Sequence, residues 1–326
     1  MIFDNIRRKV FRILMFALLI LLLLYSRDLF FDIPDTAEWK HSVFKEFADI
    51  FHGRLSLLIS MALMLAGGLL IYKINYDNLS FTGREHLLVW LWIIQAGGFS
   101  YLHPLSEIHF ATVFILLSCN TLFGTYRKQS DNKGIFLSAM YLGMASLFYD
   151  CSVYLFIPHI ISLYRFKIVK FRDWIISIAG FLVPFYFSIF IFHFSTGNWL
   201  YPIESTINGA VPDDLSLRIV EMSVSQYIFC IFILVLLATE ILMPAKSRGS
   251  GINQKTISCM RSFDMIMYAS ILIFLLFAPE SKLMLQIIIV STTVRLRILF
   301  VKINKNIIAN SLFLLLIIAS AITALF

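Results

Sequence analysis

The chain has 326 residues, of which 59% are hydrophobic and only 14% charged, where a soluble domain carries roughly 25% charged residues. So much apolar surface cannot be hidden inside one soluble core of this size, so lipid is the solvent for much of it and an ordinary soluble enzyme is excluded. The net charge of +7 is dispersed between apolar runs and forms no single patch, which excludes a nucleic-acid-binding protein.

In chain order, Arg7-Arg8-Lys9 precedes an apolar run from Val10 to Tyr25. No small-x-small cleavage site follows, so the run reads as an uncleaved signal-anchor and first span, near 10–26. Further apolar runs predict spans near 55–74, 87–102, 105–124, 135–149, 151–165, 174–194, 224–243, 265–279, 283–300 and 307–326. The fold class is therefore all-α: a polytopic transmembrane helical bundle of about eleven spans, with residues 1–326 as a single integral membrane domain. The 135–149 and 151–165 runs read either as two short spans meeting at a tight turn or as one re-entrant unit.

Basic residues fix the orientation. Arg7, Arg8, Lys9 and Arg12, then Lys73 and Arg84, Arg127, Lys128 and Lys133, and Arg165, Lys167, Lys170 and Arg172 fall in one alternating set of segments. Lys246, Arg248, Lys255, Arg261, Arg295, Arg297, Lys302 and Lys305 continue that set, while the opposite set keeps Arg27, Lys40, Lys45, Arg54, Arg218 and Lys282. Cytoplasmic loops hold the Lys and Arg excess, so the amino terminus is expected in the cytoplasm. The expected location is the bacterial inner (cytoplasmic) membrane, crossed many times.

The first outer loop, 27–54, carries the most detail. Asp35 and Glu38 have the spacing of a capping box, Val43, Phe44, Phe47 and Phe51 share one helical face, and Gly53 is a natural stop. They predict an amphipathic helix over about 36–52 on the outer leaflet. Asp35 is accounted for by capping, and Asp28 follows Arg27 and pairs locally. Asp32 has no structural duty, which makes it the first candidate for a general base, against the competing reading of solvated loop charge.

His103-Pro104 ends the third span, and Glu107 lies about one turn into the fourth. His103 and Glu107 share a helical face if that turn is helical, with Pro104 in its first turn. A pair supplies too few ligands for a metal, and Glu107 reads equally as a helix-start carboxylate favoured by the dipole. Asp150 reads as a turn residue, Gln95 with Gly97-Gly98 and Gly67-Gly68 as close helix contacts, and His159 and His193 as isolated. In the 195–223 loop, Tyr201-Pro202, Asn208-Gly209 and Pro212-Asp213-Asp214 are turn signals, in either a sugar-holding loop or a simple connector. The four cysteines show no CxxC or zinc spacing. No Walker A, GxGxxG, HExxH or GxSxG motif occurs, so neither a cofactor nor a metal is expected.

Gln95-Ala96, His103-Pro104, the stretch Gly143-Met144-Ala145-Ser146-Leu147-Phe148-Tyr149, and Arg172-Asp173-Trp174 followed by Gly180 and Pro184 together resemble a family of polytopic membrane proteins from Bacteroidota with no assigned function. The resemblance covers about residues 85–190 and implies a bacterial inner membrane. It carries over no catalytic residue, and it implies an apolar residue or proline near Asp150. The layout of 27–54 is also similar to multi-span glycosyltransferases that use polyprenyl-phosphate-linked sugars, whose first outer loop is acidic with membrane-surface helices.

Three functions compete. An envelope enzyme would act at the outer face on a polyprenyl-phosphate-linked sugar, with Asp32 or Asp28 as base and Glu107 near the acceptor. A transporter or lipid flippase would gather polar residues near the midplane. A non-catalytic assembly or scaffold subunit would need neither. The lipid bilayer is the partner common to all three.

Overall fold

The computed structural model describes residues 2–30, 53–79, 85–128, 131–168, 170–197, 199–210, 223–242, 253–276, 284–303 and 306–325. Among the described residues there are thirteen α-helices and no β-strand. Seven helical stretches among the described residues are long and apolar enough to cross a membrane: Arg54–Leu79, Glu107–Gly124, Phe171–Phe194, Val224–Leu242, Gln254–Leu276, Met284–Lys302 and Ile307–Ala324. The chain is a multi-span membrane protein. Asp32, the capping pair Asp35 and Glu38, and the expected helix at 36–52 lie outside the described residues.

Helix α1 (Ile2–Leu24) and the short α2 (Ser26–Phe30) precede α3 (Arg54–Ile74), which runs on into a π-helical turn at Asn75–Leu79. Helix α4 (Leu87–Gly97) has 11 residues, about 16 Å of helix, and a 3-10 turn at Ser100–Leu102 follows it. Next come α5 (Glu107–Gly124), α6 (Asn132–Phe148), a 3-10 turn at Asp150–Leu155, and α7 (Phe156–Arg165). The chain continues through α8 (Phe171–Thr196), α9 (Tyr201–Ala210), α10 (Val224–Leu242), α11 (Gln254–Leu276), α12 (Met284–Lys302) and α13 (Asn306–Leu325).

Two expectations change here. Helix α11 begins at Gln254, well before the expected edge near 265, and so takes Arg261 and Asp264 into the helix. Asp264 is tolerated there because Arg295, on α12, donates Nε–H to its Oδ1 at 2.9 Å and adds a second bond through Nη2. Arg295 and Arg297 accordingly belong to a helix, and neither sits in a loop. In the second long loop, Tyr201-Pro202 and Asn208-Gly209 form the start and end of α9. Proline is accepted in a first helical turn, whose N–H groups have no intrahelical partner in any case.

Successive helices alternate in direction, and side-chain bonds tie their ends into two layers. At one end, Asn78 donates to the Asn120 side chain at 3.0 Å, Lys255 donates to Asn78 at 2.9 Å, and Thr256 donates to the Leu79 carbonyl at 2.8 Å. Lys302 donates to Glu240 Oε1 at 2.7 Å at the same end. At the opposite end, the Leu105 N–H donates to Ser56 at 3.0 Å, Gln226 donates to Ser100 at 3.5 Å, and Tyr154 donates to the Ala210 carbonyl at 2.8 Å. These are called below the Lys255 end and the His103 end.

Burial sorts the helices. Of the most apolar stretch of α12, 78% is buried, against 22% for α8. Helix α12 is therefore central, packed on α4, α10 and α11, whereas α8 turns Tyr186, Phe187, Phe190, Ile191 and Phe194 outward, as a lipid-facing helix does. Close crossings depend on glycine. Trp92 of α4 lies against Gly67 and Gly68 of α3 and donates its indole N–H to the Met64 carbonyl at 2.9 Å. Helices α6 and α8 cross at Gly143 and Gly180: a Cβ on Gly143 would overlap the Phe181 carbonyl, and one on Gly180 would stand 2.5 Å from the Phe136 carbonyl. Both obstacles are backbone, which cannot swing aside as a flexible side chain does.

Gly143→Ala and Gly180→Ala are each expected to cost about 1–3 kcal/mol, read as a lower unfolding midpoint of the solubilised protein. Gly124→Ala, where nothing stands within 4 Å of the added carbon, is expected to leave the midpoint unchanged.

Candidate functional site

The His103 end gathers two polar clusters. The first starts from Asp28 in α2, which is buried and bonds to His103 Nδ1, so the local pairing with Arg27 expected from sequence gives way to a contact between distant segments. The other ring nitrogen, Nε2, donates to the Gly97 carbonyl at 2.8 Å. A carbonyl only accepts, so Nε2 carries a hydrogen and the Asp28–His103 contact holds one proton between the partners. Both ring nitrogens are thereby occupied.

Tyr25 stacks on His103 with ring centroids 4.0 Å apart, and its hydroxyl is 3.2 Å from Ser60 Oγ. Ser60 in turn meets His109 Nε2 at 3.1 Å. The Ser106 N–H donates to His109 Nδ1 at 3.3 Å, so Nδ1 is the accepting nitrogen and Nε2 donates to Ser60. This is a capping box in which an imidazole replaces the usual Glu or Gln at the third helical position. The chain of bonds joins the end of α1 to α3 and to the start of α5.

The start of α5 also corrects an expectation. Ser106 is the N-cap, with extended backbone (φ −134°, ψ 164°), and Glu107 is the first helical residue. Pro104 therefore precedes the helix, and His103 and Glu107 do not share a helical face. His103 turns to Asp28, and Glu107 turns elsewhere.

Glu107 belongs to the second cluster. It is 4% exposed, and its Oε2 has no hydrogen-bond partner among the described residues. Asp150 opens the 3-10 turn after α6, is 1% exposed, and has neither carboxyl oxygen bonded among the described residues. The Tyr149 hydroxyl beside it is likewise buried and unbonded among them. Helix α9 packs over this turn, bringing up Thr206, whose own hydroxyl donates to the Pro202 carbonyl at 2.8 Å. Asp150 lies outside the spanning segments, and burial first, then the charge of Glu107, pushes its carboxyl up to about 9. Asp150 is a turn residue as read from sequence, but a buried one, and it shares a junction with Glu107: Phe110, one turn into α5, stacks on Phe148 at the end of α6 with ring centroids 5.2 Å apart.

Other charged and amide groups are matched. Glu240 pairs with Lys302, and Asp264 with Arg295, at the Lys255 end. Gln95 donates to Thr293 at 3.0 Å and accepts from Thr292 at 2.7 Å on α12. His159 is buried and stacks near Phe156, and His193 is exposed on α8. Among the described residues no group of three or more His, Cys, Asp or Glu could hold a metal ion. Asp28 and Glu107 thus sit in different clusters, and Asp32 lies outside the described residues. Asp150 as partner to Glu107, and the Tyr25–Ser60–His109 chain, carry no sequence signal beyond polarity in apolar runs.

No family model, curated protein or solved structure matches this chain.

Asp28→Ala leaves His103 buried without its acceptor and is expected to cost about 3–5 kcal/mol. The Asp28→Ala/His103→Ala double variant is expected to cost less than the sum of the singles, measured by unfolding of the solubilised protein. An acid that holds its proton more tightly when folded stabilises the fold at low pH and loses that contribution as pH rises. The melting temperature is therefore expected to fall between pH 3.8 and about 9, and Asp150→Asn to flatten the fall.

Proposed function

We propose that this chain is an enzyme of the bacterial inner membrane that acts at the outer face on a polyprenyl-phosphate-linked sugar. The observation that carries the reading is the Glu107–Asp150 pair, two buried carboxyls from separate segments with no basic partner bonded to them among the described residues. Structural ion pairs are matched, as Glu240–Lys302 and Asp264–Arg295 are, whereas an unmatched buried carboxyl is what acid–base chemistry requires.

The orientation follows from charge. Arg127, Lys128, Lys133, Arg165, Lys255 and Lys302 gather at the Lys255 end, and Arg27 and Arg54 remain at the other. The positive-inside bias then makes the Lys255 end cytoplasmic, together with the amino terminus, and turns the His103 end outward. With α1, α4, α6 and α7 crossing beside the seven long helices, the span count is about eleven.

In this reading Glu107 takes the proton of an acceptor hydroxyl. The acceptor oxygen bonds to the anomeric carbon, the bond from that carbon to the lipid phosphate breaks, and the phosphate leaves as an anion. Asp28 acts as a positioning residue, since His103 occupies it. Asp32 remains a candidate base supplied by the first loop.

A second reading, a transporter or lipid flippase, is favoured by the Gln95–Thr292–Thr293 cluster, which sits within the bundle against its most buried long helix. That cluster is uncharged, while the unmatched carboxyls lie at one end, which supports the enzyme over the transporter.

Glu107→Gln is expected to lower the transfer reaction by about a hundredfold or more, the scale of a lost general base. Envelope glycans profiled in cells carrying Glu107→Gln, Asp150→Asn or Asp32→Asn should lack a sugar in at least the first two. Unchanged glycans at normal protein levels in both would sink the reading.

A further inference from the structure

We infer that Glu107 and Asp150 form a proton-binding site in which Asp150 carries the proton and Glu107 the negative charge. The inference deepens the acid–base reading above and depends on it for its purpose, while the proton itself is argued from placement alone.

Phe110, one turn after Glu107, stacks on Phe148, two residues before Asp150, with ring centroids 5.2 Å apart, so both buried carboxyls stand where α5 begins and α6 ends. Two carboxylate charges in one buried site are costly enough that one takes up a compensating positive charge. A basic side chain, a metal ion or a proton can supply it. The elements around the pair argue against the first. Helices α2 and α3 bring Arg27 and Arg54 to this end, and both are exposed. Lys133 of α6, Arg165 of α7, and Lys255 and Arg261 of α11 belong to the opposite end of their helices, as do Arg295, Arg297 and Lys302 of α12. On α5, His109 has one ring nitrogen on Ser106 and the other on Ser60. His159 of α7 is buried against Phe156. Helix α9 offers Thr206 and an exposed Glu204, and Tyr149, Cys151 and Tyr154 flank Asp150, so none of these brings positive charge.

Ca2+ takes about six to eight oxygen ligands and Mg2+ about six, and among the described residues no group of three or more His, Cys, Asp or Glu could hold a metal ion. The unbonded buried oxygens here are those of Glu107, Asp150, Tyr149 and Ser152, a smaller set with only two carboxyls in it. A proton needs no such shell. Its residence on Asp150 follows from the helix start. Glu107 is the first residue of the 18-residue helix α5, where unpaired N–H groups and the dipole favour a charged carboxylate. Asp150 has both oxygens unbonded among the described residues. Paired carboxyls with unequal surroundings divide into an acid and a base.

The test is infrared spectroscopy of the carboxyl C=O stretch, on the full-length protein in lipid nanodiscs. The wild type should show a protonated-carboxyl band at pH 7 that shifts in D2O and fades only under alkaline conditions. Asp150→Asn should abolish it. Glu107→Gln should move its disappearance to lower pH, because a like charge has been removed. Absence of the band at pH 7, or a band that neither substitution alters, overturns the inference. So does its loss at pH 7 on adding Na+, Mg2+ or Ca2+, which would make this a metal-cation site. If Asp150→Asn does not fold, the wild-type band, the shift in Glu107→Gln and the cation additions still decide. A band that behaves as expected beside unchanged envelope glycans retains the proton site and removes the sugar reading, so the two fail separately.

Discussion

Hydrocarbon offers no hydrogen bonds, and the rest of this structure follows from that constraint. Helices satisfy their own backbones, but every polar side chain drawn into the bundle needs a partner from the protein. Most have one. The Gln95 amide bridges to Thr292 and Thr293, Ser320 donates to the Ile94 carbonyl at 2.6 Å, and Trp92 donates to the Met64 carbonyl across a crossing opened by Gly67 and Gly68. Charges obey the same rule with more at stake, since a lone buried charge costs far more than a lone hydroxyl. Asp264 with Arg295, and Glu240 with Lys302, are therefore paired across α10, α11 and α12.

Against that rule the His103 end shows two different solutions. Asp28 and His103 satisfy each other, and His103 spends its second nitrogen on Gly97, so the cluster is closed and works as a clasp between α2 and the end of α4. The capping box of α5, with His109 facing Ser60, extends the clasp to α3. Glu107 and Asp150 remain open, with oxygens buried and unbonded among the described residues. A closed cluster stabilises, whereas an open one can take up a proton or a substrate hydroxyl. That distinction moves the weight of the site from Asp28 to Glu107 and Asp150.

Helix α9 gives the open cluster its roof. Its turn-forming composition reads as loop, yet Tyr201–Ala210 folds as a helix over the Asp150 turn and is held there by Tyr154 on the Ala210 carbonyl. The close crossing of α6 and α8 at Gly143 and Gly180 holds α6 in the bundle, and the Asp150 turn follows directly on the end of that helix.

By itself, the sequence determined the all-helical, multi-span character, the positions of most helices, and the charge asymmetry between loops. Those follow from composition and from runs of apolar residues, which are local properties. Glu107 was also legible, because an ionisable residue at the start of an apolar run is costly wherever the helix packs. The partners were decided only by tertiary structure. Asp28 finds His103 across 75 residues of chain, while Asp264 meets Arg295 and Glu107 comes to the Asp150 turn across neighbouring helices, and no local pattern encodes which apolar face lies against which. The same limit explains α11: its early start through Arg261 and Asp264 is acceptable only once α12 supplies the matching charge. Local chemistry chose the helices, and packing chose which of their polar residues would be left without a partner.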